Sequence, residues 1–190
     1  MKRETLLDVV MMGAPPLILV GLVLGYFFYT QSSLQSALDA RDERELSQVF
    51  PDATRFSEKE GDPPHVKAFA PDSRTGEEVL IGLAFHTFDL EPFERGYEGP
   101  IKMLVGITLE GQLTAVEVLE HLEPYGYFSI ETRAFQNQFD GKRVGDRFRV
   151  GEDIDAISRA TITVSSAARS IRNGARRMAR AYLGGPEAAP

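Results

Sequence analysis

The sequence has 190 residues, a formal net charge of -7 and no cysteine. The acidic balance argues against nucleic acid as a partner, because binding to a phosphate backbone requires clustered cationic charge. Without cysteine the chain forms no disulfide, no iron-sulfur cluster and no thiolate metal site, and its three histidines lie far apart in sequence. Any redox role therefore requires an organic cofactor, and we predict no metal site.

The N-terminal part of the chain carries the pattern of a membrane anchor. No charged residue occurs from Val9 to Leu38, and residues 9–30 are long and apolar enough to cross a bilayer as a helix. A cleaved signal peptide is disfavoured because the apolar run is long and no small-residue cleavage site follows it. Lys2 and Arg3 precede the segment and acidic residues dominate after it, so residues 1–8 are predicted to be cytoplasmic. We expect a single-pass inner-membrane protein with a periplasmic, extracytoplasmic main domain.

The remaining chain shows the periodicities of an α+β domain. Apolar residues alternate in the predicted strands and recur every three or four positions in the predicted helices. In chain order we predict a helical stalk (31–50), a polar connection (Glu58 to Pro71), strands (Glu78 to Leu90, Ile101 to Leu109, Leu113 to Leu122), a short helix (Ile130 to Phe139), turns (Gly141 to Val150) and a long helix (Thr163 to Leu183). A Glu110-Gly111 turn between two strands favours an antiparallel sheet with packed helices. The domain is expected to cover 51–183, followed by a flexible tail at 184–190.

The stretch that carries chemistry lies just before the last predicted helix. It runs Asp155-Ala156-Ile157-Ser158-Arg159-Ala160-Thr161-Ile162-Thr163. A helix N-terminus offers free N–H groups and the positive end of the helix dipole, so it is a natural seat for a phosphate group. The Thr161 hydroxyl would lie there, with room beside the small Ala160 and a cation on Arg159. The open alternative is that Ser158, Thr161 or Thr163 simply caps the helix.

The order Asp155-x-x-Ser158-x-Ala160-Thr161 resembles the D-x-x-[S/T]-G-A-T attachment sequence of the FMN-binding domain found in NosR, RnfG and NqrC proteins. Further segments are similar to the NosR/NirI group, namely Phe50 to Ala53, Glu58 to Pro64, Gly99 to Ile107, Val118 to Pro124 and Phe139 to Lys142. The resemblance implies FMN held on Thr161 through a phosphoester that a flavin transferase installs. It also implies flavin contacts from the neighbouring Asp155, Ser158, Arg159, Ala160, Ile162 and Thr163. Arg159 stands where the family has glycine, which serves where a backbone needs positive φ.

The resemblance also places the turn after the last strand near the flavin ring. That turn holds Glu120, His121, Glu123 and Tyr125. A flavin needs a flat apolar surface and a few hydrogen-bonding groups, which Tyr125 and His121 could supply together. The alternative is a surface turn with a solvated histidine. Metal binding by His121 with Glu120 and Glu123 is disfavoured, because proximity in sequence rarely sets ligand geometry.

Two further patterns allow more than one interpretation. The last predicted helix is amphipathic and carries arginines at helical spacing, namely Arg169, Arg172, Arg176 and Arg180, with Arg177 beside them. They form either a solvated cationic face or a docking surface for an acidic partner or lipid headgroups. We interpret five phenylalanines as core or pocket wall: Phe85, Phe88, Phe93, Phe135 and Phe139.

The resemblance to FMN-binding domains implies an electron carrier, and no nucleophile-base-orienter set is visible that would support a self-contained hydrolytic catalyst. The leading hypothesis is a membrane-anchored, extracytoplasmic FMN protein that acts as a subunit of a membrane redox complex. Its partners would be the lipid bilayer, the other subunits and the flavin transferase. In the NosR/NirI group the domain is fused to further membrane helices and iron-sulfur modules, so the electron donor and acceptor are expected on other polypeptides. The alternative is a structural or assembly subunit that has lost its flavin.

Overall fold

The computed structural model describes residues 20, 22–24, 26, 27, 29, 30 and 40–184. The chain divides into two compact units, Met1–Asp42 and Glu43–Pro190. In the first unit the described residues from 20 to 30 are helical and expose their apolar side chains. Within the described part of the chain, no helix is both long and apolar enough to cross a bilayer. The predicted anchor, the segment before it, the start of the stalk and most of the tail lie largely or wholly outside the described residues.

The second unit is built on a five-stranded antiparallel sheet in which strands adjacent in sequence are also adjacent in the sheet. The strands are β1 (Arg55–Phe56), β2 (Val66–Pro71), β3 (Glu78–His86), β4 (Lys102–Thr108) and β5 (Leu113–Glu120). Gly111, with φ +78°, makes the tight turn between β4 and β5 where Glu110-Gly111 was predicted to do so. The predicted α+β class with an antiparallel sheet and packed helices is confirmed.

Over residues 40–184, four α-helices accompany the sheet: α1 (residues 40–49), α2 (Thr87–Leu90), α3 (Arg133–Gln136) and α4 (Thr161–Tyr182). The predicted short helix corresponds to α3 and the 3₁₀ turn Asn137–Phe139 that follows it. Helix α4 begins two residues before its predicted start. It stops where the Leu183 N–H donates to the Ala179 carbonyl at 2.9 Å and Gly184 takes φ +79°, a left-handed ending that glycine favours.

Two predicted boundaries are wrong. The strand predicted from Glu78 to Leu90 ends at His86, and Thr87–Leu90 form helix α2 instead. The Thr87 hydroxyl accepts the Met103 N–H at 3.1 Å and donates to the Ile101 carbonyl at 3.3 Å, which turns the chain away from the sheet.

The predicted polar connection also contains strand β2, Val66–Pro71. Its burial alternates residue by residue, as expected for a strand whose side chains point in turn to a more covered and a less covered face. The prolines upstream concealed this short alternation in the sequence.

The sheet is covered on both faces, because successive side chains of a strand point to opposite sides. On one face Leu83, Phe85 and Met103 pack with the apolar stripe of α4. On the other face Ala84 and Leu104 pack with Leu46, Val49 and Phe50, which belong to α1 and the residue after it. Phe85, Phe135 and Phe139 are buried as predicted. Phe88 and Phe93 were wrongly assigned to the core or pocket wall, since 38% and 92% of their surface is exposed.

The contribution of the α1 side of the core can be measured by truncating Phe50. Phe50→Ala is expected to lower the free energy of unfolding by about 3–5 kcal/mol, because it removes a ring that is only 3% exposed. Phe93→Ala makes the same chemical change at a 92% exposed position and is expected to change stability by less than about 0.5 kcal/mol. Denaturant unfolding of the purified proteins measures both values. Equal losses in the two variants would contradict this packing.

Candidate functional site

Helix α4 begins without a side-chain cap. Ala160 is the N-cap residue, and the first bond of the helix runs from the Val164 N–H to the Ala160 carbonyl at 2.9 Å. The N–H groups of Thr161, Ile162 and Thr163 have no acceptor among the described residues. The alternative prediction, in which Ser158, Thr161 or Thr163 caps the helix, is therefore wrong. Three free donors and the positive end of the dipole are left for an anion.

The residue before the N-cap has an unusual backbone. Arg159 takes φ +70°, in the left-handed region that glycine adopts without strain. The loop therefore has the backbone shape that the glycine of the attachment sequence would give it. An arginine occupies that shape here and places its side chain at the mouth of the same site.

A cleft of about 380 Å³ opens beside this helix start. It is lined by residues from three loops and the first turn of α4, namely Tyr97, Pro124, Tyr125, Arg159, Ala160, Thr161, Ile162 and Thr163. Thr161 is exposed and Ala160 is buried. The side chains of Tyr97 and Tyr125 are substantially exposed, so two aromatic rings are available at the cleft. The cleft combines aromatic surface, a cation and free N–H donors within one small space.

A buried carboxylate joins the walls of this cleft. Glu123 is only 5% exposed. Its Oε1 accepts the backbone N–H of Glu98 at 2.9 Å and of Gly99 at 3.4 Å. Its Oε2 accepts the Tyr97 N–H at 3.0 Å and the hydroxyl of Thr163, in the first turn of α4. One side chain thus ties loop 96–99 to the start of the helix.

The bonds of the Glu123 carboxylate depend on two features: a glycine beside it and the ionised state of the carboxylate. A Cβ atom at Gly96 would lie 2.5 Å from Glu123 Oε1, so only glycine allows the loop to wrap this closely. Burial acts to raise the pKa of Glu123, but the bonds from Thr163 and the three backbone N–H groups outweigh it and hold the pKa below its ordinary 4.5. Glu123 is therefore ionised at neutral pH, close to a site that favours anions.

His121 has a structural position behind the cleft. Its Nδ1 accepts the Glu123 N–H at 3.0 Å, which leaves Nε2 protonated and able to donate to Glu131 Oε1 at 2.8 Å. The ring lies against Gly126, where any Cβ would collide with it, and the side chain is 12% exposed. The alternative of a solvated histidine is wrong. His121 braces the turn that carries Tyr125.

The structure brings together some of the predicted site residues and separates others. Tyr125, Arg159, Ala160, Thr161, Ile162 and Thr163 line the cleft, and Glu123 supports it from behind. Asp155 and Ser158 are exposed outside the lining, and the Asp155 N–H donates to Gln138 Oε1 at 2.7 Å. Glu120 lies at the end of β5 and pairs with Lys102 at 2.8 Å.

Tyr97 was missed as a site residue, whereas Pro124 belongs to the turn that the resemblance placed near the flavin ring. Tyr97 is far from Thr161 in sequence, and only the bonds to Glu123 bring its loop to the helix. The available signal was the pair Gly96 and Gly99-Pro100, which marks a tight loop around an aromatic residue. Pro124 directly precedes Tyr125 and shares its turn.

The comparisons with known proteins agree with this geometry. A family model of the FMN-binding domain matches residues 96–176, which include loop 96–99, Glu123 and the whole lining of the cleft. Residues 96–176 belong to the FMN-binding domain family. The chain is also 26% identical over 192 aligned residues to a protein of the ion-translocating oxidoreductase complex of Pseudomonas aeruginosa, in strains UCBPP-PA14 and PAO1. The alignment covers 92% of this chain and 89% of each relative.

The residues of this FMN-binding domain suit the cofactor of its family. A cleft of about 380 Å³ lies within the range of about 300–1,000 Å³ that is usual for small-ligand pockets. Free N–H groups and Arg159 suit the phosphate, and Tyr97 and Tyr125 offer flat surfaces for a ring system. The chemistry of the site therefore fits FMN.

The junction made by Glu123 in the FMN-binding domain can be tested by Glu123→Gln. Each carboxylate oxygen accepts two bonds, so an amide nitrogen in place of either oxygen leaves at least one backbone N–H of loop 96–99 without its acceptor. The free energy of unfolding is expected to fall by about 1.5–3 kcal/mol at neutral pH. Glu98→Gln, an exposed carboxylate in the same loop, serves as the control and is expected to change stability by less than about 0.5 kcal/mol.

The same pair of variants carries a test in acid. The folded pKa of Glu123 lies below 4.5, so its contribution is complete above that pH and is lost as the pH falls through the folded pKa. The stability difference between wild type and Glu123→Gln should therefore shrink on acidification. A difference that stays constant down to strongly acid pH would show that the charge of Glu123 contributes nothing.

The backbone at position 159 can be tested by two truncations that both remove the guanidinium. Arg159→Gly is expected to be more stable than Arg159→Ala by about 1 kcal/mol, because only glycine adopts φ +70° without strain. Denaturant unfolding measures the difference. If alanine proved as stable as glycine, the left-handed conformation at this position would be wrong.

Proposed function

We propose that this protein is a membrane-anchored, extracytoplasmic electron carrier that holds FMN through a phosphoester on Thr161 and works as a subunit of a membrane redox complex. The observation that carries the proposal is the position of Thr161. Its side chain lies at the uncapped start of α4, in an aromatic cleft, within the residues that match the FMN-binding domain. When bound, FMN supplies one- and two-electron transfer, which the amino acids of this chain do not supply themselves.

Several residues of the cleft have a defined task in this proposal. In the transfer that the flavin transferase carries out, Oγ1 of Thr161 would attack the phosphorus of an activated flavin phosphate. The new P–O bond forms as the bond from that phosphorus to the donor's leaving group breaks, and the Thr161 hydroxyl proton is released with the leaving group. The N–H groups of the first helical turn and the guanidinium of Arg159 balance the charge of the phosphate. Tyr97 and Tyr125 would hold the ring system, and Glu123 fixes loop 96–99, which carries Tyr97, against the start of α4.

The exposure of Thr161 supports modification by a second protein. A transferase must reach the hydroxyl from solvent, and Thr161 is exposed whereas Thr163, two residues later, is 3% exposed and bonded to Glu123. The structure thus distinguishes the two threonines of the first turn. Of these two, Thr161 is the one whose hydroxyl is open to solvent.

The role within a complex rests on the relatives. The two Pseudomonas aeruginosa proteins are named as parts of an ion-translocating oxidoreductase complex, and the alignment covers nearly their whole length. We propose by analogy that this chain passes electrons between other subunits. The proposed layout is a cytoplasmic segment over 1–8, a transmembrane helix over 9–30, a stalk over 31–50, the FMN-binding domain over 51–183 and a tail over 184–190. Its support is the apolar run and charge asymmetry of the sequence.

Covalent attachment is tested by Thr161→Ala in cells that contain the flavin transferase. The wild-type protein is expected to remain yellow after acid precipitation and to carry, on the Thr161 peptide, the mass of FMN less one water. Thr161→Ala is expected to lose the bound colour completely, because no nucleophilic oxygen remains at that position. Thr75→Ala makes the same change at an exposed threonine outside the cleft lining and outside the attachment sequence, so it is the matched control and should keep the flavin.

Two outcomes would contradict the proposal at different levels. An unmodified Thr161 peptide in wild-type protein from such cells would refute covalent attachment. Flavin released into the supernatant of the same sample would still support noncovalent FMN binding in the cleft. Wild-type protein without any flavin would refute the electron carrier and favour the structural or assembly subunit, for which Arg159 in place of glycine is the motivating feature.

A further inference from the structure

Four arginines meet in a second cleft of the same domain. This arginine cleft has a volume of about 390 Å³ and is lined by Arg147, Arg149, Arg172 and Arg176. Two of them belong to the turn before the flavin loop, and the other two lie one turn apart on α4. It shares no lining residue with the Thr161 cleft, and Arg172 lies about 16 Å along the helix from Thr161. It is therefore a separate feature.

The positive charge of this cleft is only partly balanced. Glu152 pairs with Arg147 and with Arg149, each at 3.0 Å. In the part of the chain that the structure describes, no carboxylate forms an ion pair with Arg172 or Arg176. The chain as a whole has a net charge of -7, with 28 acidic side chains. Asp146 and Asp153 lie in the same turn, where their carboxylates accept backbone N–H groups, and Glu152 is the carboxylate that pairs with the arginines. Four guanidiniums in one cleft are thus a local exception in an acidic protein.

The turn that carries two of the arginines is held in a strained conformation. Phe148 takes φ +52°, although it is not glycine, and its ring is buried and stacked on Phe139 with 6.0 Å between the centroids. The Asp153 carboxylate accepts the N–H of Phe148 at 2.9 Å and of Arg149 at 2.6 Å. Strain of this kind persists where the surroundings hold it, and it is concentrated at functional sites. Here it keeps Arg147 and Arg149 together at the surface.

The helix side of the cleft is also preorganised. Arg176 donates from Nε to the Val144 carbonyl at 3.1 Å and from Nη2 to the Asp146 carbonyl at 2.8 Å. Burial, followed by the charges of Arg172 and Arg180, lowers the pKa of Arg176, which still remains charged at neutral pH. Like charges one helical turn apart repel each other. A bound anion would relieve this repulsion at a guanidinium whose position is already set.

We propose that the arginine cleft binds a phosphate group. Guanidinium groups arranged around one space suit a phosphate group, because its several anionic oxygens can accept N–H groups from more than one arginine at once. Arg176 would contribute the N–H groups that its bonds to the Val144 and Asp146 carbonyls leave free. The ligand chemistry is shared by soluble phosphate compounds and by the headgroup of an anionic phospholipid. The site works independently of the flavin, since its residues lie outside the Thr161 cleft. The solvated cationic face predicted for α4 is, at Arg172 and Arg176, the wall of this cleft.

The test uses the purified full-length protein and two probes. Isothermal titration calorimetry with pyrophosphate measures the soluble ligand, and titration with monomeric short-chain phosphatidylglycerol, against phosphatidylcholine of equal chain length, measures the headgroup. Binding of either charged probe by the wild type is expected. R147Q/R149Q is expected to weaken it at least about tenfold, because both forks of the turn are lost.

The control is R74Q/R95Q, which removes the same amount of charge from two exposed arginines outside the cleft. It is expected to keep the wild-type affinity, and flavin content should be unchanged in both double variants.

R172Q supplies a second site variant if the turn variant fails to fold. A preference for pyrophosphate would identify a soluble phosphate compound, and a preference for phosphatidylglycerol a lipid. The proposal is overturned if neither probe binds the wild type, or if the cleft and control variants lose affinity equally.

Discussion

The bonds from the Glu123 carboxylate are the interaction on which the proposed flavin site depends. They connect the loop that carries Tyr97 with the first turn of α4, two segments far apart in sequence. A buried carboxylate is costly unless its oxygens are satisfied, and here four donors satisfy them. The N-cap of α4 is Ala160, which has no side-chain acceptor, so the N–H groups of the first turn stay free beside the cleft. One ionised side chain thereby sets the shape of the site, and the uncapped helix start gives it the capacity for an anion.

The sheet explains why these bonds can form where they do. Both of its faces are covered, by α4 on one side and by α1 on the other, and the antiparallel order brings the end of β5 near the start of α4. The turn after β5 carries Glu123, and His121 braces that turn through Glu131. Function is thus placed on loops, while the packed layers fix where those loops begin and end.

The two non-glycine residues with positive φ among the described residues lie at the Thr161 cleft and at the arginine cleft. Arg159 lies at the mouth of the Thr161 cleft, and Phe148 lies in the turn that forms one wall of the arginine cleft. At position 159 the strained residue is itself an arginine that lines its cleft. At position 148 the strained residue is flanked by Arg147 and Arg149, which line the arginine cleft. Five arginines line the two clefts, and at both of them the neighbouring chemistry favours phosphate.

The sequence alone was sufficient for those features that depend on local order. The alternation around Gly111, the periodicity of α4 and the motif that ends at Thr161 are all readable within short windows, and they predicted the α+β class and the attachment residue proposed here. Strand β2, Tyr97 in the cleft, the exposure of Phe93 and the pairing of Glu123 with Thr163 were decided only by the tertiary structure. Each of these depends on a partner many residues away, and periodicity within one segment contains no information about which distant backbone will supply a hydrogen bond or cover a face. The arginine cleft is a further example. The sequence placed Arg172 and Arg176 on one helix, but the cleft forms only where the turn around Phe148 folds against that helix.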